Sequence, residues 1–127
     1  MEDSHAFRVE YLSPKIVKRS GWTRPGTWTH THWCPACRSA HDYAVDQPFH
    51  NGAQWTYNGD SVRPTFTPSM NISWGPTEDG DHYRCHYFVT DGKIIYCGDS
   101  THGMAGQTVE LPDFPVAQVL SWKPYEQ

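Results

Sequence analysis

The sequence predicts a mainly β protein, with a small antiparallel sheet domain and a short C-terminal helix. The 127 residues include six Trp, seven Tyr and five Phe alongside ten Gly and ten Pro, a mixture typical of short strands joined by tight turns. β-rich runs bounded by turn signals recur along the chain, whereas one segment near its end suits a helix. The length predicts a single compact domain spanning residues 1–127.

Charge and hydropathy argue against several functional classes. The formal net charge is −4, and no basic run exceeds the pair Lys18-Arg19. Nucleic-acid binders concentrate Lys and Arg against phosphates, so no nucleic-acid partner is expected. No segment approaches the roughly 20 apolar residues of a membrane-spanning helix, and the N-terminus lacks the charged and apolar regions of a signal peptide. We therefore expect a cytoplasmic protein, in the producing cell or in a host cell.

The first half of the chain contains two strand signals. Residues 7–12 alternate enough for a first strand, and residues 20–26 read as a turn-rich connector. Residues 27–33, "TWTHTHW", alternate strictly and predict a strand. One of its faces, expected to be solvent-facing or partly packed, carries Trp28, His30 and His32.

The central segments predict turns and an irregular strand. Residues 38–53 have weak periodicity and end in an Asn-Gly turn signal, and residues 54–60 read as strand then turn. Residues 61–74 are extended throughout, because Pro64 and Pro68 exclude helix. The same prolines predict an edge strand or an interrupted one, and residues 75–81 follow as a loop.

The clearest element is a β-hairpin at residues 83–98, "YRCHYFVTDGKIIYCG", with an Asp-Gly turn at 91–92. A two-residue turn would place His86 opposite Cys97, whereas a three-residue loop would place Cys85 opposite Cys97. The three-residue loop suits a left-handed glycine, and we therefore predict it.

The end of the chain predicts a loop, a strand and a helix. Residues 99–107 are rich in small residues and predict a loop, and residues 107–112 predict a strand. Residues 113–122 predict a short helix, with Asp113 near its N-cap and Pro115 in its first turn.

The cysteines predict a structural zinc site. Cysteines of a cytosolic chain are metal ligands more often than disulfides. A tight Cys-Pro-Ala-Cys turn and a later hairpin are the usual parts of a closed four-ligand zinc site. The predicted ligands are Cys34, Cys37, Cys85 and Cys97, with His86 in place of Cys85 as the alternative. A redox motif would require a helix start that the flanking residues do not suggest, and Cys85 and Cys97 alone also suit small buried side chains.

A second set of polar residues suits hydrolysis. Ser69 is held between Pro68 and Met70 on a stiff strand, as a nucleophile requires. Either His86 or His102 suits the general base, with Asp99 orienting it. Backbone N–H groups of the small residues after His102 suit an oxyanion, namely those of Gly103, Ala105 and Gly106.

Other interpretations stay open. Ser69 also suits a turn residue bonded to its own backbone, and familiar hydrolase signatures such as G-x-S-x-G are absent. A zinc-stabilised binding module, for instance a phage-encoded accessory protein or inhibitor that binds a host protein, needs no chemistry of its own. In a third alternative, His86, His102 and two cysteines bind a catalytic zinc. His41, His50 and His82 are assigned to loops without a role.

Four motifs together resemble a family of small, uncharacterised phage and prophage proteins. They are "HWCPAC", "RPTFTPSMNI", "RCHYFVTDGKI" and "DSTHGMAGQTVELPD". Members are sometimes labelled ammonia monooxygenases, but nothing in the sequence supports copper or oxygen chemistry. The family often carries a cysteine where this chain has Ser100, whereas Cys97 is particular to this chain, so the fourth metal ligand stays open.

A cysteine cluster, a Pro-Ser strand and a Cys-His pair that opens a hairpin also resemble small proteins of bacterial ubiquitin-like conjugation gene clusters. The resemblance implies a zinc-containing peptidase, with Ser69 and His86 at the serine and histidine positions. It further implies a protein substrate, such as a ubiquitin-like conjugate. The sequence therefore predicts a small zinc-stabilised hydrolase with structural Zn²⁺.

Overall fold

The mainly β prediction is confirmed. The computed structural model describes residues 8–20 and 27–122. Within these residues the chain forms two small sheets and one short helix. They belong to two compact units, the second made of residues 34–39 and 56–111 and the first of the rest.

The sheet of the first unit has four strands in the order β1-β2-β3-β4. Their bounds are β1 Arg8–Tyr11, β2 Val17–Ser20, β3 Trp28–Cys34 and β4 Ser39–Tyr43. The predicted strands at 7–12 and 27–33 are confirmed where they are described. β2 and β4 were not predicted, because their sequences "VKRS" and "SAHDY" are short and polar. Of the predicted connector at 20–26, only Ser20 is described, and it ends β2.

The histidine face of β3, predicted to be solvent-facing or partly packed, is closed to solvent at both histidines. His30 is 4% exposed and His32 is fully buried, and the threonines between and before them are buried as well. Both faces of β3 are covered. The alternation of residue types therefore does not show whether either face is exposed to solvent. His41 is also buried, and it lies on β4 rather than in a loop.

A buried ion pair accommodates the two buried threonines of β3. Arg19 is 2% exposed, and its Nη2 donates to Asp42 Oδ2 at 2.7 Å. The hydroxyls of Thr29 and Thr31 donate to Asp42 Oδ1 at 2.8 and 2.6 Å. Buried polar groups are tolerated when they are hydrogen-bonded, so β3 passes through a polar interior.

The second unit contains a five-stranded sheet in the order β5-β6-β7-β8-β9. Its strands are β5 Thr56–Tyr57, β6 Phe66–Trp74, β7 Tyr83–Thr90, β8 Lys93–Tyr96 and β9 Thr108–Glu110. Alternate side chains form what we call the buried face, whose members include Phe66, Met70, Cys85, Tyr87, Val89, Ile94 and Tyr96. The side chains between them form the open face.

β6 is interrupted near Pro68, as that proline predicts. Its pairing with β7 shifts register between Phe66 and Met70, and Pro68 and Ser69 lie in that irregular stretch. Beyond the shift the pairing is regular, and Asn71 lies opposite His86. The irregularity therefore sets the direction of Ser69 separately from the alternation of the rest of the strand.

The predicted three-residue loop of the hairpin is wrong. Thr90 pairs with Lys93, so the turn has two residues, and both Asp91 and Gly92 have positive φ (50° and 77°). Such a turn matches the twist of the strands, and aspartate tolerates the first position. It is also fixed from outside, since Gly92 N–H donates to the carbonyl of Pro64 at 2.9 Å.

The remaining elements match the predictions. Residues 75–81 and 99–107 are loops and turns, and β9 lies within residues 107–112. Helix α1 spans Val116–Ser121, within the predicted residues 113–122, and Pro115 is its N-cap rather than a residue of its first turn. Among the described residues, none of the helical segments has the length and apolar character that crossing a membrane demands.

Candidate active site

Ser69 and His86 meet on the open face of the second sheet. Ser69 Oγ lies 3.1 Å from His86 Nε2. Ser69 is half-buried, and the His86 side chain is 24% exposed. The distance is within hydrogen-bond reach of a nucleophile and its base.

Asp99 completes a line of hydrogen bonds. Its two carboxylate oxygens lie 3.1 and 3.2 Å from His86 Nδ1. A carboxylate beside Nδ1 favours the tautomer protonated there, which leaves the Nε2 lone pair facing the hydroxyl of Ser69. Ser69 is then the donor and His86 the acceptor.

Electrostatics keep Asp99 ionised. Partial desolvation acts to raise the pKa of Asp99, but hydrogen bonds from His86 and Arg84 outweigh it and lower the pKa below its ordinary value. Arg84 Nη1 lies 3.2 Å from Asp99 Oδ2. The carboxylate is therefore available to stabilise an imidazolium on His86.

The loop after β8 positions Asp99 by replacing β8 as the partner of β7. β8 ends opposite Tyr87, and beyond that point His86 N–H donates to Ser100 Oγ at 3.0 Å. Ser100 Oγ in turn donates to the carbonyl of His86 at 3.1 Å. Thr101 exchanges similar bonds with the backbone of Arg84. These bonds fix the loop along β7, next to the ring of His86.

Three thiols gather on the other side of β7. The sulfur atoms of Cys34, Cys37 and Cys85 lie within 4.8 Å of one another. Cys34 and Cys85 are fully buried, with their sulfurs 3.9 Å apart. The Cys-Pro-Ala-Cys turn is closed by the N–H of Arg38, which donates to the carbonyl of Cys34 at 2.7 Å. A buried group of three thiols can bind a metal ion.

The chemistry of the thiol group fits a soft cation. Hydrogen bonds from Cys34 and Cys37, followed by burial, raise the pKa of the Cys85 thiol far above its usual range. Tyr83 Oη lies 2.7 Å from the Cys37 sulfur, and Tyr96 Oη lies 3.1 Å from the Cys34 sulfur. Without a cation the group resists ionisation, whereas a bound divalent ion would deprotonate the thiols.

Cys97 lies with the histidine site instead. The two-residue turn places it opposite His86, and Cys97 N–H donates to the carbonyl of His86 at 2.8 Å. The ligand atoms of His86, Cys97 and Asp99 lie within 4.8 Å of one another. The expected loop, which would have aligned Cys97 with Cys85, was the reason for grouping all four thiols.

His102 lies against the tyrosines that reach the thiols. Its ring centroid is 4.8 Å from that of Tyr96 and 6.3 Å from that of Tyr83. Its Nδ1 accepts the N–H of Met104 at 3.2 Å. Of the small residues expected to face an oxyanion, Ala105 donates its N–H to the carbonyl of His102 and Gly106 to that of Tyr96. Those two N–H groups are thus committed within the loop.

Sequence reasoning missed several residues of this region. Nothing in the order of residues marks Ser100 as the bridge to β7, or Tyr83 and Tyr96 as partners of the thiols. Arg84 carried a signal, because a residue two positions before His86 on a strand lies on the same face.

Comparison with known proteins identifies the family. A family model described as bacterial ubiquitination-like system serine protease (BubE) matches residues 4–97. The match spans most of the chain, including Ser69, His86 and the three clustered thiols, and it ends two residues before Asp99. No curated protein and no solved structure matches the chain. The chain therefore belongs to the BubE family of bacterial ubiquitination-like system serine proteases.

Proposed function

We propose that this chain is a serine peptidase that hydrolyses an amide bond of a ubiquitin-like protein or its conjugates. The observation that carries the proposal is the hydrogen-bonded line of Ser69, His86 and Asp99, with contacts of 3.1 Å on both sides of the imidazole. This arrangement recurs on unrelated folds and is recognised by geometry. Membership of the BubE family supports a protein substrate in a ubiquitination-like system.

The proposed reaction proceeds in two halves. Ser69 Oγ attacks the substrate carbonyl while its proton passes to His86 Nε2, and Asp99 stabilises the resulting imidazolium. The imidazolium then gives this proton to the leaving amine as the C–N bond breaks. Water attacks the acyl-enzyme with His86 again as base, which releases the carboxylic acid and restores the Ser69 hydroxyl.

Asn71 is the proposed donor to the oxyanion. It lies two residues after Ser69, directly opposite His86, and cross-strand neighbours share a face. Its side chain is exposed, and no hydrogen bond occupies its carboxamide among the described residues. A preorganised amide donor at the developing oxyanion contributes about 3–4 kcal/mol in hydrolases of this type.

The thiol group is the proposed site of a structural zinc ion. Cys34, Cys37 and Cys85 supply three thiolates, a donor set that zinc favours. For the fourth ligand we propose His102, whose Nε2 is buried and lacks a hydrogen-bond partner among the described residues. The ring would have to move towards the sulfurs, because His102 lies outside the group within 4.8 Å. The ion stabilises the fold and takes no part in hydrolysis.

Labelling with a fluorophosphonate tests the nucleophile without knowledge of the substrate. We expect the reagent to modify Ser69, which peptide mass spectrometry would locate, and Ser69→Ala to lose both labelling and peptidase activity. Ser73→Ala is the matched control, since Ser73 is an exposed serine of the same strand. The activity assay uses a ubiquitin-like protein carrying a C-terminal extension or an isopeptide-linked lysine.

The competing function is a zinc-stabilised protein that binds its partner without cleaving it. Retention of all biological activity by Ser69→Ala, together with equal labelling of wild type and variant, would favour that alternative. Loss of turnover with unchanged substrate binding in Ser69→Ala supports the peptidase.

A further inference from the structure

Cys97 places a third metal-binding side chain beside the proposed catalytic histidine. The ligand atoms of His86, Asp99 and Cys97 lie within 4.8 Å of one another on the open face. None of the proposed catalytic steps uses this thiol. The group combines an imidazole, a carboxylate and a sulfur, a set that borderline-soft divalent ions such as zinc prefer.

The spacing of the three groups suits a tetrahedral ion. With ligand bonds of about 2.1 Å, zinc holds neighbouring nitrogen and oxygen ligands roughly 3.4 Å apart. His86 Nδ1 and the nearer Asp99 oxygen are 3.1 Å apart. The two atoms therefore need to move only slightly apart to bind one ion. Asp99 is 47% exposed, which leaves the fourth position to water and gives the ion a path from solvent.

An ion at this position would remove the general base. On binding, Cys97 releases its thiol proton to solvent. His86 gives up its Nδ1 proton and takes one up from solvent at Nε2, and the freed Nδ1 lone pair binds the metal. The neutral imidazole then carries its proton on Nε2, where it donates to Ser69 instead of accepting from it. Protonating the imidazole further would place a second positive charge beside a divalent cation.

We propose that His86, Asp99 and Cys97 form a second, exchangeable metal site, and that zinc bound there inhibits the peptidase. This inference rests on the proposed function for its regulatory part, whereas the site itself stands on the geometry. The thiol group on the buried face is a separate site with different cysteines.

Two measurements on the 127-residue chain test the proposal. Equilibrium dialysis against buffered zinc counts bound ions, and the rate of fluorophosphonate labelling reports the reactivity of Ser69. Both are compared in wild type, Cys97→Ser and Cys97→His. We expect wild type to bind one zinc ion more than Cys97→Ser. When that ion binds, the labelling rate of wild type should fall by at least about tenfold.

The variants separate the outcomes. Cys97→Ser should keep the labelling rate measured without added zinc and require at least about tenfold more zinc for inhibition, while Cys97→His restores inhibition because it returns a ligand. Equal zinc stoichiometry and equal inhibition in wild type and Cys97→Ser would overturn the proposal. If Ser69 is never labelled, the peptidase assignment fails, and the difference in stoichiometry alone still decides whether the site exists.

Discussion

Cys85 and His86 are neighbours in the chain, but they belong to two different regions of the second unit. Cys85 points to the buried face, has no exposure and joins two other thiols. His86 points to the open face, is 24% exposed and lies between Ser69 and Asp99. One peptide bond thus separates a group suited to hold a structural ion from a group suited to meet a substrate.

The difference shows how a β-strand divides two kinds of chemistry. Successive side chains point to opposite faces, so the strand backbone separates the two groups. Burial suits the thiols to the proposed structural ion, because an apolar surrounding would limit the access of water to its ligands. The proposed catalytic groups need solvent access for substrate and water, and the structural ion proposed on the opposite face would brace the strand that carries them.

The largest effect is expected from breaking the buried face. Cys85→Ser should abolish zinc binding at the thiol group and lower the free energy of unfolding by on the order of 5 kcal/mol, since binding a structural ion is coupled to folding. Zinc content and urea denaturation measure both effects. Cys97→Ser, a cysteine substitution beside the open-face group, is the matched control and should retain the stability. Full stability and zinc content in Cys85→Ser would show that the thiols act as packed side chains only.

The sequence indicates which residues belong to the two groups more clearly than it indicates which of those residues contact one another. The residue types of Ser69, of either His86 or His102, and of Asp99 predict a hydrolytic group, and the structure places Ser69, His86 and Asp99 within hydrogen-bond reach. The predicted three-residue loop groups Cys97 with Cys85, but the turn has two residues and is held by a hydrogen bond to Pro64 from another segment. Contacts of that kind join residues distant in sequence, and periodicity carries no information about them.

An intermediate effect is expected on the open face at Asn71. Asn71→Ala should lower kcat by about 10²–10³-fold with little change in KM, because the amide contacts the oxyanion only when it forms. Steady-state kinetics on a cleavable ubiquitin-like substrate measure the two constants. Ser73→Ala, two positions along the same strand, should leave both unchanged. An effect on KM alone would assign Asn71 to substrate binding instead of the oxyanion.

The smallest expected effect tests the contrast between the partly exposed imidazole of His86 and the buried imidazole of His30. Burial, and then the charge of Lys18, lowers the pKa of His30 to about 4 from its ordinary value of 6.5. Between these two pH values the unfolded chain binds a proton that the folded chain does not, so stability falls as the pH drops from about 6.5 towards 4.

The size of that fall follows from the shift in pKa. Each unit corresponds to about 1.4 kcal/mol, so His30 should cost about 2 kcal/mol of stability at pH 4.5 relative to pH 7. His30→Gln should remove this part of the acid sensitivity, as measured by urea unfolding at the two pH values. His50→Gln, at an exposed position, is the control and should keep it. The same slope in His30→Gln and wild type would mean that other groups cause the acid loss, and that burial of this imidazole carries no pH-dependent cost.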